Sequence, residues 1–190
     1  MRAPMLPPAA RRRRRGGPAL LRARLGFGTA LALCLALACR EPARDAPAAG
    51  GETIFLSIGG ESFALELALD PATRQRGLSG RTELPRSGGM FFAFRSPRPL
   101  AMVMRDCPEP IDVAFLDAEG RVVALHSMRP EPPRRAGESA TQYELRLPAY
   151  SSGAPAQFAI EVAGGRLAQL GVRVGTRLVF DAAALAARAR

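Results

Sequence analysis

The chain has 190 residues, 27 basic and 17 acidic side chains, and a formal charge of +10. That length suits one domain with a leader and excludes two full domains. Every basic residue is an arginine, and residues 1–38 hold eight of them with no acid, so residues 39–190 carry only +2; with Trp absent and no basic stripe between aromatics, a nucleic-acid-binding footprint is excluded.

Residues 1–38 read as an export signal. Arg11 to Arg15, Arg22 and Arg24 form a cationic front, and the apolar run Leu25 to Ala38 follows. A run of that length fits a signal-peptide core and is short of the roughly 20 residues of a membrane span. The positive end belongs on the cytoplasmic side. The run closes on Leu35-Ala36-Leu37-Ala38-Cys39, which resembles a lipobox with Ala36 at the usual Leu position. Cys39 is then the expected lipidated residue and mature N-terminus. An ordinary secretory cut near Ala38 and an uncleaved anchor are the alternatives. The arginine run leaves both general and twin-arginine export open. Arg40 after the cysteine favours the outer membrane over the inner one.

Residues 39–52 are rich in Pro, Ala and Gly and read as a tether. Residues 53–180 read as one β-rich domain. Thr53 to Ile58 and Glu61 to Leu69 alternate in hydrophobicity around Gly59-Gly60, a hairpin signal. Asp70-Pro71 marks an N-cap and first turn, so a short helix is expected to Arg76, ending at Gly77. Met90 to Phe94 and Leu100 to Met104 read as two strands. Ile111 to Leu116 and Arg121 to Leu125 flank an Asp-Ala-Glu-Gly turn as a second hairpin. Residues 129–140 are a Pro- and Arg-rich loop; Tyr143 to Leu147 and Gln157 to Val162 read as strands. A short helix is expected over Arg166 to Leu170, a last strand over Thr176 to Phe180, and an Ala/Arg tail, a frayed helix, over 181–190. About eight short strands with close turns predict a mainly β (α+β) fold: a compact antiparallel barrel-like sheet with one or two short helices.

Most enzyme signatures are missing. His126 is the only histidine, and no C-x-x-C pair, G-x-S-x-G elbow or phosphate-binding glycine loop occurs. No metal site, cofactor or catalytic residue is therefore expected. Cys107 is the only cysteine after residue 39, so an intramolecular disulfide is excluded there and a disulfide-linked dimer stays open. The chemistry-bearing stretch is Met102 to Asp117, which sets Arg105, Asp106, Asp112 and Asp117 among apolar residues. Asp112 lies inside an apolar strand segment, so its charge needs a partner, with Arg81 and Arg105 the candidates. Either this is a structural ion pair closing the sheet, or it is a ligand site of Arg81, Arg105, Asp106 and Asp112 walled by Met90 and Met104. Asp117 serves the turn by default.

At these residues the chain resembles the domain of unknown function 192 family. Gly77-Leu78-Ser79-Gly80-Arg81, Gly89-Met90-Phe91-Phe92-Ala93-Phe94 and the long segment Met102 to Asp117 follow the family pattern, with Met104, Pro110, Asp112, Phe115 and Asp117 matching outright. Tyr150-x-Ser152, the Phe158 to Gly165 stretch and Gly171-Val172-x-x-Gly175 resemble its closing part. Ser79, Val103, Asp106 and Cys107 depart from it. The resemblance covers about residues 61–180 and implies a compact β-rich, barrel-like fold without implying a reaction. The expectation is thus an exported, lipid-anchored envelope protein, a binding accessory domain for a small molecule or envelope protein. An envelope hydrolase using Asp106 and Asp112 as acid and base, and a purely structural lipoprotein, are the alternatives.

Overall fold

The computed structural model describes residues 51–190. The signal segment, Cys39 and the tether up to residue 50 lie outside the described residues. Within them the fold is mainly β, as expected, with four short helices where one or two were expected and an open sheet of mixed direction where an antiparallel barrel-like one was expected.

β1 (Thr53–Ile58) and β2 (Glu61–Ala68) form the expected antiparallel hairpin, with Ile58 opposite Glu61 across two glycines of positive φ. Asp70 caps α1 (Pro71–Arg76), its Oδ1 accepting from the Thr73 amide at 2.9 Å and its Oδ2 from the Thr73 hydroxyl at 2.8 Å. This helix lies between β2 and β3 (Gly88–Met102), which run parallel, because parallel neighbours need a crossover connection. β4 (Ile111–Leu116), β5 (Val122–Met128) and β6 (Tyr150–Ala163) complete a six-stranded sheet of order β1-β2-β3-β6-β4-β5, every other pair antiparallel. The sheet is open, with β1 and β5 at its ends.

Several local expectations are corrected. The two strands expected around Pro97 and Pro99 are one strand, β3, whose pairing with β6 shifts register between Ala93 and Arg98 and again before Ala101. Tyr143 to Leu147 is not a strand: Ala140–Arg146 form the helix α2, started by a capping box between Ser139 and Gln142. Thr176 to Phe180 makes only an isolated bridge, Arg121 to Arg177. There Phe180 packs edge-on against Phe91 and Phe158.

The alternation of side chains splits the core in two. Phe63, Leu65, Phe91, Ala114, Phe158 and Ile160 face α3 (Arg166–Gln169) and α4 (Ala182–Arg188), which contribute Leu167 and Leu185. Met90, Phe92, Val113, Phe115 and Ala159 face the other way and are covered by Leu78, Met104 and Cys107.

Candidate functional site

The residues expected to form one site are divided among several places. Asp112 is 2 % exposed, and neither Arg81 nor Arg105 is its partner. Its Oδ1 accepts from the Ser127 hydroxyl at 2.8 Å and its Oδ2 from the Leu167 amide at 3.0 Å. Asp112 therefore ties β4 to β5 and to the start of α3. It shares a face of β4 with Ala114 and Leu116, in the α3 side of the core, whereas Asp106 precedes Cys107 in the cover of the opposite face. The structure does not bring the two aspartates together as an acid–base pair. Arg81 instead holds Glu66 through two hydrogen bonds, 2.5 and 2.6 Å, which raise the guanidinium pKa.

Arg105 is fixed by α2, where the sequence pattern predicts a strand. Its Nε and Nη2 donate to the Glu144 carboxylate, the latter at 2.8 Å, and its Nη1 donates to the Gln75 carbonyl at 2.6 Å. The hydrogen bond to Arg105 lowers the pKa of Glu144. Beside it, the Asp106 amide donates to the Tyr143 hydroxyl at 3.1 Å, and that hydroxyl donates to Asp106 Oδ1 at 3.2 Å. Asp106 has φ of 51°, the one non-glycine residue with positive φ among the described residues. Helix α2 thus clamps the segment from Arg105 to Cys107. Met90 and Met104 are core residues, 1 % and 0 % exposed, and line no opening described below. Asp117 serves its turn, accepting from the amides of Glu119 and Arg121. His126 meets the Ser151 carbonyl at 2.7 Å.

One concave surface lies over β3, beside α1; another, about 970 Å³, is lined by Glu52, Glu66, Asp70, Arg76, Arg81 and Arg188. A groove of about 710 Å³ has Phe92, Phe94, Leu100 and Met102 in its lining and Arg74, Arg98 and Arg190 around it. The Arg74 and Arg98 guanidiniums stand 4.8 and 4.6 Å from the centre of the Phe94 ring. Arg74 donates to the main-chain oxygens of Leu69, Ala93 and Arg190. Arg98 takes part in no salt bridge among the described residues, whereas Arg74 is engaged by these three acceptors. Burial, and then the charge of Arg98, lower the pKa of Arg74.

A recess of about 170 Å³ adjoins the groove, sharing Arg74, Gln75, Phe92, Ala101 and Met102 with it. Cys107 and Glu161 line it, with Gly77, Leu78 and Arg105. Glu161 is 5 % exposed and sits mid-sheet on β6, between Met90 of β3 and Val113 of β4. Every fully hidden side-chain nitrogen or oxygen among the described residues has a hydrogen-bond partner. The Glu161 carboxyl has none, so its oxygens open onto the recess. Burial raises its pKa to about 8, so it is largely uncharged at neutral pH. The Cys107 thiol donates to the Arg105 carbonyl at 3.3 Å; burial first, then the Glu161 charge, raise its pKa to about 11. At 7 % exposure it offers no thiolate for catalysis or ready pairing with a second chain.

Sequence reasoning passed over Glu161, Arg74 and Arg98. Glu161 carries the same signal as Asp112, an acid inside an apolar strand, and the run Phe158 to Val162 displays it. Arg74 and Arg98 come together only through the crossover. Among the described residues no group of three His, Cys, Asp or Glu side chains is placed to hold a metal. No helix among them is long and apolar enough to cross a membrane.

Comparison with known proteins agrees with the fold. A structure from Novosphingobium aromaticivorans DSM 12444, a protein of unknown function, has a TM-score of 0.59 at 23% identity, covering 71% of this chain and 90% of its own. A structure from Sinorhizobium meliloti 1021, described as a candidate transcription regulator, has a TM-score of 0.53 at 27% identity, covering 67% of this chain and 92% of its own. No curated protein matches the chain. The model of the domain of unknown function 192 family, an uncharacterised group, matches residues 54–180. The chain therefore belongs to that family.

Proposed function

We propose that this is an exported, lipid-anchored binding domain whose groove takes a small organic anion with an apolar body. One observation carries the binding reading: Arg74 and Arg98 lie against one phenylalanine ring at the edge of an open groove, and Arg98 takes part in no salt bridge among the described residues. The charge of Arg98 already acts on Arg74, and an anion in the groove that both line relieves that repulsion. The aromatic and aliphatic lining offers the ligand's body an apolar surface. An oxyanion hole or a paired acid and base is not what this groove presents, so the reading is binding and not hydrolysis. The regulator label of the Sinorhizobium meliloti neighbour has no support here, since no described helix exceeds seven residues.

The anchoring rests on the order of charge, apolar run and Cys39 in the leader. Labelling of the full chain with radioactive palmitate in a bacterial host tests it. The parent incorporates label and fractionates with membranes, and Cys39→Ser does neither. Equal labelling and location of the two would refute it. The groove is tested by calorimetry with 4-isopropylphenyl carboxylates bearing zero to three methylenes between ring and carboxylate. At least one binds the parent, and Arg98→Ala weakens it about tenfold or more, the worth of one charge-assisted contact. Binding indifferent to Arg98 would sink the reading.

A further inference from the structure

Glu161 has a side chain that the fold does not use. The residue is 5 % exposed, and its carboxyl makes no hydrogen bond to a described residue and opens onto the recess next to the groove. A buried polar group without a partner costs stability, and an ionised one costs more. Asp112, equally buried in the neighbouring strand, shows the alternative, with both oxygens satisfied.

The surroundings decide what kind of group completes Glu161. The recess walls are Phe92, Leu78 and Met102, and its rim holds Arg74, Arg76 and Arg105. A cationic ligand would be driven off by those arginines. A second anion would enter an apolar recess beside an acid, with Arg105 already engaged by Glu144. An uncharged acceptor meets neither objection, because an uncharged carboxyl donates one hydrogen bond. The groove and recess share Arg74, Gln75, Phe92, Ala101 and Met102, so one molecule can occupy both.

We propose that Glu161 is a specificity residue, donating its carboxyl proton in a hydrogen bond to an uncharged carbonyl at the far end of the organic anion held by Arg74 and Arg98. The ligand class is then an organic monoanion with an apolar middle and a ketone, ester or amide carbonyl opposite its charge. This rests on the groove reading given above.

The carbonyl preference depends on pH through Glu161 alone. The other charged or titratable groups around it are Arg74 and Arg76 on α1 and Arg105, Asp106 and Cys107 in the β3–β4 connection. Glu66, one strand over, is paired with Arg81. The arginines stay charged throughout, and Cys107, at about 11, stays largely a thiol across the range used below.

The test pairs each 4-isopropylphenyl carboxylate with its 4-acetylphenyl counterpart, equal in heavy-atom count but carrying a carbonyl. Calorimetry is run at pH about 6 and about 9.5, either side of the raised Glu161 value. In the parent the acetyl probe binds about fivefold more tightly at the lower pH, the worth of one hydrogen bond. The preference disappears at the higher pH. Glu161→Gln, whose amide donates at either pH, keeps the preference at both, and Glu161→Leu shows it at neither. Equal binding of the paired probes at low pH, with dependence on Arg98 intact, would overturn the role of Glu161 and leave the groove standing. Failure of every probe to bind would overturn the groove as well.

Discussion

Arg105 grips Glu144, not Asp112: its Nε and Nη2 face the two carboxylate oxygens, the latter at 2.8 Å, and the pair pins α2 over the β3–β4 connection. Arg105 and Glu144 side chains keep 25% and 40% exposure, so water screens the pair. A double-mutant cycle of Arg105→Ala and Glu144→Ala, read by urea unfolding, should give a coupling below about 1 kcal/mol. The single mutants stay folded. A coupling several times larger would mean that α2 is held mainly by this contact.

Asp112 is the opposite case. Its oxygens satisfy the Ser127 hydroxyl and the Leu167 amide inside the protein. Asp112→Ala leaves both donors without acceptors and should cost about 2–4 kcal/mol. Asp112→Asn should recover part of this, since its amide oxygen can accept from Leu167 while its NH2 donates to Ser127. Chemical denaturation of the two variants checks the order, and equal losses would contradict it.

Gly89 allows β3 to approach β6. Its φ is 152°, and a Cβ there would stand 2.1 Å from the Glu161 carbonyl oxygen. No flexible side chain can yield, because the clash is with backbone. Gly89→Ala should therefore prevent folding or lower the melting temperature by many degrees, whereas Gly60→Ala, whose Cβ meets nothing within 4 Å, pays only the cost of a positive φ. Circular dichroism melts of the two distinguish them; similar melting would refute the close-approach argument.

The first hairpin and the Asp70 cap were legible because their signals are local: alternation around two glycines, and a cap followed by proline. Tyr143, Leu145 and Leu147 alternate as in a strand, yet the Ser139–Gln142 capping box starts a helix there. The alternation hides the partners of Arg105 and Asp106, both of which stand on α2. Pro97 and Pro99 suggested a break, yet β3 runs through them by shifting register against β6. The burial of Asp112 followed from its apolar neighbours, but its partners did not, since Ser127 and Leu167 arrive from β5 and α3. The parallel β2–β3 pair and the groove beside it depend on a crossover that no local pattern encodes.

Glu161 is a buried acid beneath an arginine-lined mouth, and the most direct measurement of its charge is an NMR titration of its side-chain carboxyl carbon in the folded domain. Its pKa is raised in the folded state from 4.5 to about 8, so between those values the folded form binds more protons than the unfolded one. Stability from this group is full below pH 4.5, falls as pH rises through that window by up to ~1.4 kcal/mol per unit, and levels off above it. Glu161→Gln should abolish that fall. The expected midpoint lies near 8; a midpoint near 4.5, with a flat stability profile across the same range, would contradict an uncharged Glu161 at neutral pH.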